Sequence, residues 1–240
     1  MAARLRSILA ATDLSTTGTH AMERATMLAA RSGGAQMRVL HAPKRPLQVI
    51  SDASKGSDLV VLGGATEHSF RDLVLGSTAE RLLRKTPASL LVVRNRPQGE
   101  YRRALVALDF SEFDDRVLAF ARSVAPEARF DLMHAFDTRL EGKMRYAGVD
   151  PEAITEYRAR TWESAMREMR LVADRIPGHP GTIVVNGHTA SNVVRQGRAA
   201  NADLIVVGHR PRSWLSRMMM SGIAAEVLPK AQTDVLVVRR

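Results

Sequence analysis

The chain has 240 residues, a formal net charge of +10 with 30 of its 35 basic residues arginine, and no cysteine. Disulfides, thiolate metal sites and a cysteine nucleophile are therefore excluded, and no run of 18 apolar residues marks a membrane-spanning helix. The start, Met1 to Arg6, leads straight towards a strand without an apolar leader region, so a cytoplasmic location is expected. The arginines are scattered singly, which reads as a solvated surface and not as a nucleic-acid tract; no membrane or nucleic-acid partner is expected.

In chain order, Ser7–Thr12 is a short apolar run ending at Asp13, the pattern of a buried parallel strand. Asp13-Leu14-Ser15 offers a helix N-cap, Ala21, Ala25, Leu28 and Ala29 recur at helical spacing, and Gly33-Gly34 stops the helix. Met37–His41 is a second strand, and 47–55 holds a short helix before Gly56. Strand 58–63, a loop, a helix over 77–85 and strand 90–94 complete a first unit. After the polar linker 95–99, Ala104–Asp109 repeats the first strand and Leu132–His134 the second. Ser111 and Asp114 resemble a capping box at the next helix start. Asp203–Gly208 repeats Asp58–Gly63, and Val235–Arg239 repeats Leu90–Arg94.

The register shift between copies grows from 93 to 145 residues, so the second copy carries 52 extra residues after its second strand. Pro151 at a helix start, apolar positions Ile154, Tyr157, Ala165, Met169, Val172 and Ile176 on about one face, and a strand at 182–185 fall in that insertion. Trp162 of the same helix is expected to be buried. The alternation of strands and helices predicts an α/β fold: two doubly wound parallel-sheet domains in tandem, 1–97 and 101–240, the first lacking one strand and one helix. Ligands of such sheets sit beyond the carboxyl ends of strands, where Asp13, His41 and Gly63 lie in one copy and Asp109, His134 and Gly208 in the other. The last strands, 90–94 and 235–239, are apolar edges that need a partner.

These residues carry a resemblance to the universal stress protein family, as a tandem of two such domains. The Asp closing the first strand, Leu40-His41, the Asp-Leu-hydrophobic-hydrophobic-Gly strand and the terminal Leu-Val-Val-Arg are the matching features. ATP-binding members of that family show Gly, two residues, Gly, nine residues, Gly, then Ser or Thr. The first copy reads Gly63, Gly64, Ala65, Thr66, nine residues, Gly76, Ser77, with Thr66 in place of a glycine. The second reads Gly208, His209, Arg210, Pro211, nine residues, Ser221, Gly222; Pro211 has no N–H and the last two marks are transposed.

The resemblance implies ATP, with magnesium if it binds, as the candidate ligand of the first domain. Asp13 would face the ribose or metal-bound phosphates, the Leu40 backbone the adenine, and Gly63, Gly76, Ser77 and Thr78 the phosphates, with Thr12 and Thr66 also counted among the nucleotide-binding residues. Backbone N–H groups at glycine turns and at a helix start suit an anion; the competing reading for Asp13 is a helix cap, and for the glycines turn geometry alone. The resemblance further implies a stress-response regulator whose two halves pair through their last strands as an intramolecular pseudo-dimer, with a homodimer also allowed. The alternative is an interaction module that binds no nucleotide and acts by protein contacts. No catalytic constellation is evident: there is no Gly-x-Ser-x-Gly elbow, P-loop or Gly-x-Gly-x-x-Gly, so weak ATP hydrolysis is the most that is expected. The seven histidines have no metal-ligand spacing, and His41 and His134 read as structural hydrogen-bonding groups. Trp214, Leu215 and Met218–Met220 read as packing of the second loop.

Overall fold

The computed structural model describes residues 4–42, 46–64, 82–83, 85–136, 139–209 and 222–240. The expected contacts of Trp214, Leu215 and Met218–Met220 lie outside them. The first half runs β1 (Ser7–Thr12), α1 (Thr16–Arg31), β2 (Gln36–His41), α2 (Pro46–Ala53), β3 (Leu59–Gly63) and β4 (Ser89–Val93). The second runs β5 (Arg103–Ala107), α3 (Phe113–Val124), β6 (Arg129–Phe136), α4 (Arg139–Tyr146), α5 (Pro151–Ala173), β7 (Gly181–Asn186), α6 (Thr189–Ala199), β8 (Leu204–His209), α7 (Ile223–Lys230) and β9 (Asp234–Arg239). The insertion thus holds the expected long helix and strand, α5 and β7, and also the eight-residue α4 ahead of them.

The nine strands of the described residues join one sheet in the order β2-β1-β3-β4-β9-β8-β5-β6-β7. Neighbours are parallel except at one seam, where β4 and β9 pair antiparallel over Leu90–Val92 and Val237–Val235. The two apolar terminal strands therefore cover each other, as the intramolecular pseudo-dimer requires. The seam is reinforced asymmetrically. Asp234 Oδ1 accepts from Arg94 N at 2.8 Å and its Oδ2 from the buried Tyr101 hydroxyl at 2.7 Å, while the matching Ser89 Oγ accepts from Arg239 N at 3.2 Å. The Arg94 guanidinium crosses the seam to the Leu228 carbonyl at the end of α7.

Strand residues alternate between two apolar layers. One joins α1, α3 and α5 to the sheet through Ala21, Ala25, Leu28, Val117, Ala121, Met169 and Val172. The other joins α2, α6 and α7 through Ile50, Val193, Val194, Val227 and Leu228, with Leu82 and Leu83 also buried there. Local signals act as read: Gly33 and Gly34 turn the chain after α1 at φ of 67° and 91°, and Asp150 Oδ1 caps α5 by accepting from Glu152 N at 2.8 Å beside Pro151. The motif aspartates have a structural task. Asp58 accepts from Arg6 N and Ser7 N at the head of β1, and Asp203 from Arg102 N and Arg103 N at the head of β5. Trp162 departs from expectation: it is 44% exposed, at the margin of the buried stripe of α5 that runs through Ile154, Ala165, Met169 and Val172.

Candidate functional site

In the first half β2 and β3 lie on opposite sides of β1, so the crevice between β1 and β3 is where the strand order reverses. Its mouth is formed by Thr12-Asp13 after β1 and Gly63-Gly64 at the end of β3. The chain turns there through Leu14, which holds a left-handed φ of 67° and is 72% exposed. Thr12 Oγ1 accepts from Leu14 N at 3.0 Å, and Asp13 Oδ1 accepts from Ser15 N at 3.1 Å and from Ser15 Oγ at 2.6 Å. Ser15, not Asp13, is the N-cap of α1, its Oγ accepting from Gly18 N at 3.1 Å. Asp13 therefore supports the cap from outside the helix and keeps its second carboxylate oxygen out of the cap.

Glycine is required here by close approach. A Cβ on Gly63 would lie 2.6 Å from the Thr17 carbonyl carbon, and one on Gly18 would lie 2.6 Å from Thr12 Oγ1 and 2.8 Å from Asp13 Oδ1. Gly64 sits against the Arg94 side chain and donates its N–H to Val93 O. Thr12, Asp13 and Gly63 are thus gathered at one carboxyl-end mouth. Leu40 lies beside it, one residue before the end of β2 and opposite Ala11, half-buried against the α2 layer. Thr66, Gly76, Ser77 and Thr78 lie outside the described residues, as do Arg210, Pro211 and Ser221 of the second copy.

The second copy solves the same turn differently. Phe110 repeats the left-handed Leu14 at φ 57°, but Leu108 stands where Thr12 supplies a hydroxyl, and Asp114 stands where Gly18 leaves space. The buried Asp114 carboxylate accepts from Asp109 N at 3.4 Å and from Ser111 N at 3.2 Å. The expected capping box is half-formed: Asp114 reaches back as the box requires, whereas Ser111 Oγ turns to Asp109 Oδ1 and not to the Asp114 N–H. Burial first, and the neighbouring Asp109 charge second, push the Asp114 carboxyl up to about 6. Phe110 stacks on His134 with ring centroids 4.1 Å apart, and His134 Nδ1 donates to Leu108 O at 2.9 Å. Burial lowers the His134 pKa, so the ring is held neutral. The structural reading of His134 holds; His41, its counterpart, is exposed.

The Phe110–His134 plug and the Asp114 carboxylate were not among the expected site residues. Aligning the copies at their 96-residue offset sets Gly18 against Asp114, which is the signal that marks the difference.

The family model described as the universal stress protein family matches residues 43–94 and 100–239. The chain belongs to the universal stress protein family. A universal stress protein of Mycobacterium tuberculosis is 25% identical over 202 residues, 81% of this chain and 66% of the relative, so the chain spans just under two thirds of that relative's length. A second from the same species is 25% identical over 213 residues, 82% of this chain and 66% of its own length. Among solved structures, a universal stress protein from Archaeoglobus fulgidus superposes with a TM-score of 0.64 at 17% identity, covering 98% of this chain and 96% of that one. A functionally unknown protein from Pseudomonas aeruginosa gives 0.71 at 15% identity, covering 98% and 92%. These likenesses concern the fold. The family match begins at residue 43, yet β1, α1 and β2 before it reproduce β5, α3 and β6 in the same parallel register. No described helix is long and apolar enough to cross a membrane, and no described cluster of three or more His, Asp or Glu suits a metal ion.

Proposed function

We propose that this universal stress protein is a cytoplasmic stress-response regulator that binds ATP with magnesium in its first half only. The observation that supports this reading is the contrast at the first turn of the two equivalent helices. In the first half Gly18 leaves the start of α1 without an added carboxylate. As the first two helical amides, those of Thr16 and Thr17 have no intrahelical acceptor, while Ser15 Oγ takes up Gly18 N. Such amides, with the helix dipole, favour an anion. In the second half Asp114 supplies an internal anion to the same turn and Phe110 fills the space beside it, which disfavours a phosphate group there.

The fit is one of groups that bind and orient. Asp13 and Thr12 would stand beside the ribose or the metal-bound phosphates, Leu40 beside the base, and Gly63, Thr66, Gly76, Ser77 and Thr78 along the phosphates. Magnesium would supply charge neutralisation to the phosphates. Nothing described at this mouth acts as a general base, so turnover, if measured, is slow.

Titration with a fluorescent ATP analogue and Mg²⁺ tests the proposal. One saturable site per chain is expected, weakened at least about tenfold by Gly76→Val, which fills the close approach a phosphate needs. Absence of saturable binding by the wild type would overturn the nucleotide reading and favour the alternative, an interaction module acting by protein contacts. Unchanged binding by Gly76→Val would overturn the site assignment.

A further inference from the structure

The two copies share one strand whose surroundings differ completely. In the second half β6 is an interior strand: β7 pairs with it in parallel from Asp131 to Phe136, and α5 covers its outer face. Its residues Phe130, Leu132 and Met133 are buried, and the Arg122 guanidinium lies 3.8 Å over the Phe130 ring. The first half has no counterpart of α4, α5 or β7 among the described residues, so β2 is the terminal strand of the sheet. Val39, which occupies the place of the fully buried Leu132, is 57% exposed. Met37 replaces Phe130, and Thr26 replaces Arg122 with its Oγ1 3.7 Å from Met37 Sδ. What is left is a shallow apolar strip of Met22, Met37 and Val39 beside an open strand edge.

Within β2 itself the usual protections of such an edge are missing. β2 carries no proline, and its one arginine is turned away: Arg38 Nη2 donates to Ala53 O at 2.7 Å and to Ser57 Oγ at 2.8 Å on the α2 face. Gln36 N and Ala42 N donate inward to Arg6 O and Thr12 O, so by strand alternation the backbone groups of Met37, Val39 and His41 point outward. The side chains of those same three residues lie on the apolar α1 side.

We propose that this edge is a self-association surface, on which β2 of a second copy of this chain pairs antiparallel about a twofold axis through Val39. A self-complementary strand is what an isologous interface needs. In the Val39-centred register, Val39 faces its own copy and Met37 faces the partner copy's residue 41, so every outward backbone group is paired. The register centred one residue earlier sets Arg38 against Arg38, a like-charge pair. The operation repeats the one by which this chain already closes its other apolar edges, the antiparallel β4–β9 seam, and it continues the same sheet. Apolar strips of the two copies then lie side by side, taking the place that α5 and β7 fill over β6.

The test is the mass of the intact chain in solution at about 150 mM salt, where repulsion between two chains of charge +10 is screened beyond roughly 8 Å. Sedimentation equilibrium from 1 to 100 µM should show twice the 26.4 kDa chain mass at the upper end. Val39→Lys, which changes an exposed side chain, should return the single-chain mass at 100 µM, with its circular dichroism and its melting at 1 µM unchanged. Thr182→Lys, on the exposed opposite edge strand β7, should leave the dimer intact. Hydrogen exchange on the wild type gives a second reading that needs no variant: the amides of Met37, Val39 and His41 should exchange more slowly at 100 µM than at 1 µM. A wild type that stays single-chain throughout, a dimer that survives Val39→Lys, dissociation by Thr182→Lys alone, or concentration-independent exchange at those amides would each overturn the proposal.

Discussion

Removing the Asp114 charge should change how stability depends on pH. The carboxyl is held at about 6 in the folded chain against 3.8 for the ordinary group, because it is buried and faces Asp109. A raised carboxyl pKa means that between these values the folded chain binds a proton that the unfolded chain does not. Stability from this group is therefore greatest below pH 4 and is lost as the pH rises through about 6. The two values give a gain of about 1.3 kcal/mol on going from pH 7 to pH 5, and solvent reaching Asp109 makes that a ceiling.

His134 opposes it. Its lowered pKa keeps the folded ring neutral while the unfolded histidine takes a proton, so its contribution falls as the pH drops through about 6.5. The wild-type profile alone therefore does not report Asp114. The informative quantity is the difference between the wild type and Asp114→Asn, which keeps an acceptor for Ser111 N and does not titrate. Urea unfolding followed by circular dichroism at pH 5, 6 and 7 should show the difference shifting by about 1 kcal/mol in favour of the wild type as the pH falls. A constant difference across this range would refute the reasoning.

Two further expectations concern packing. Tyr101→Phe should cost about 1.5–3 kcal/mol in urea unfolding, the usual range for a hydrogen bond to a charged group, because Asp234 is buried and loses the donor at its Oδ2. Gly63→Ala should destabilise by about 1–3 kcal/mol and by more than Gly208→Ala; the first Cβ meets the Thr17 backbone at 2.6 Å, the second the Phe113 ring at 3.0 Å, and a ring yields more easily. Equal losses, measured by the same unfolding curves, would show that the α1 backbone can move aside.

Much of the scaffold was legible in the residues. Apolar runs such as Leu59–Leu62 and Leu204–Val207, buried on both faces, admit few readings other than interior parallel strands, and duplication of the terminal strands pointed to the β4–β9 seam. The polar network was harder to read. That Asp234 would hold Arg94 N, Asn95 N and the Tyr101 hydroxyl depends on contacts across more than 130 residues, which no local pattern encodes. Trp162 was misplaced because the stripe of a helix packed over a sheet edge leaves its flanks in water, and an aromatic on that flank looks like any other apolar residue in the sequence.

The glycines of the motif show why duplicated sequence is weak evidence for a duplicated site. Gly63 and Gly208 are both retained, but each is demanded by the helix packed against it, Thr17 in one half and Phe113 with Val117 in the other. Packing alone accounts for that match. Chemistry shows where the halves were free to differ. The left-handed turn after β1 and after β5 leaves N–H groups that need acceptors. One half supplies them with Thr12 and Asp13 from before the helix, which forbids a side chain at Gly18. The other half supplies Asp114 from within the helix, where Leu108 has no hydroxyl to offer. These are alternative ways of satisfying one backbone turn, and they exclude each other sterically, since a Cβ at Gly18 would press on the two acceptors the first half uses. Only the second way places a carboxylate from within the helix itself; in the first the carboxylate is that of Asp13, ahead of the N-cap. The pair Thr12 with Gly18, set against Leu108 with Asp114, is therefore the feature by which the two helix starts differ, more than the glycine spacing of the loop.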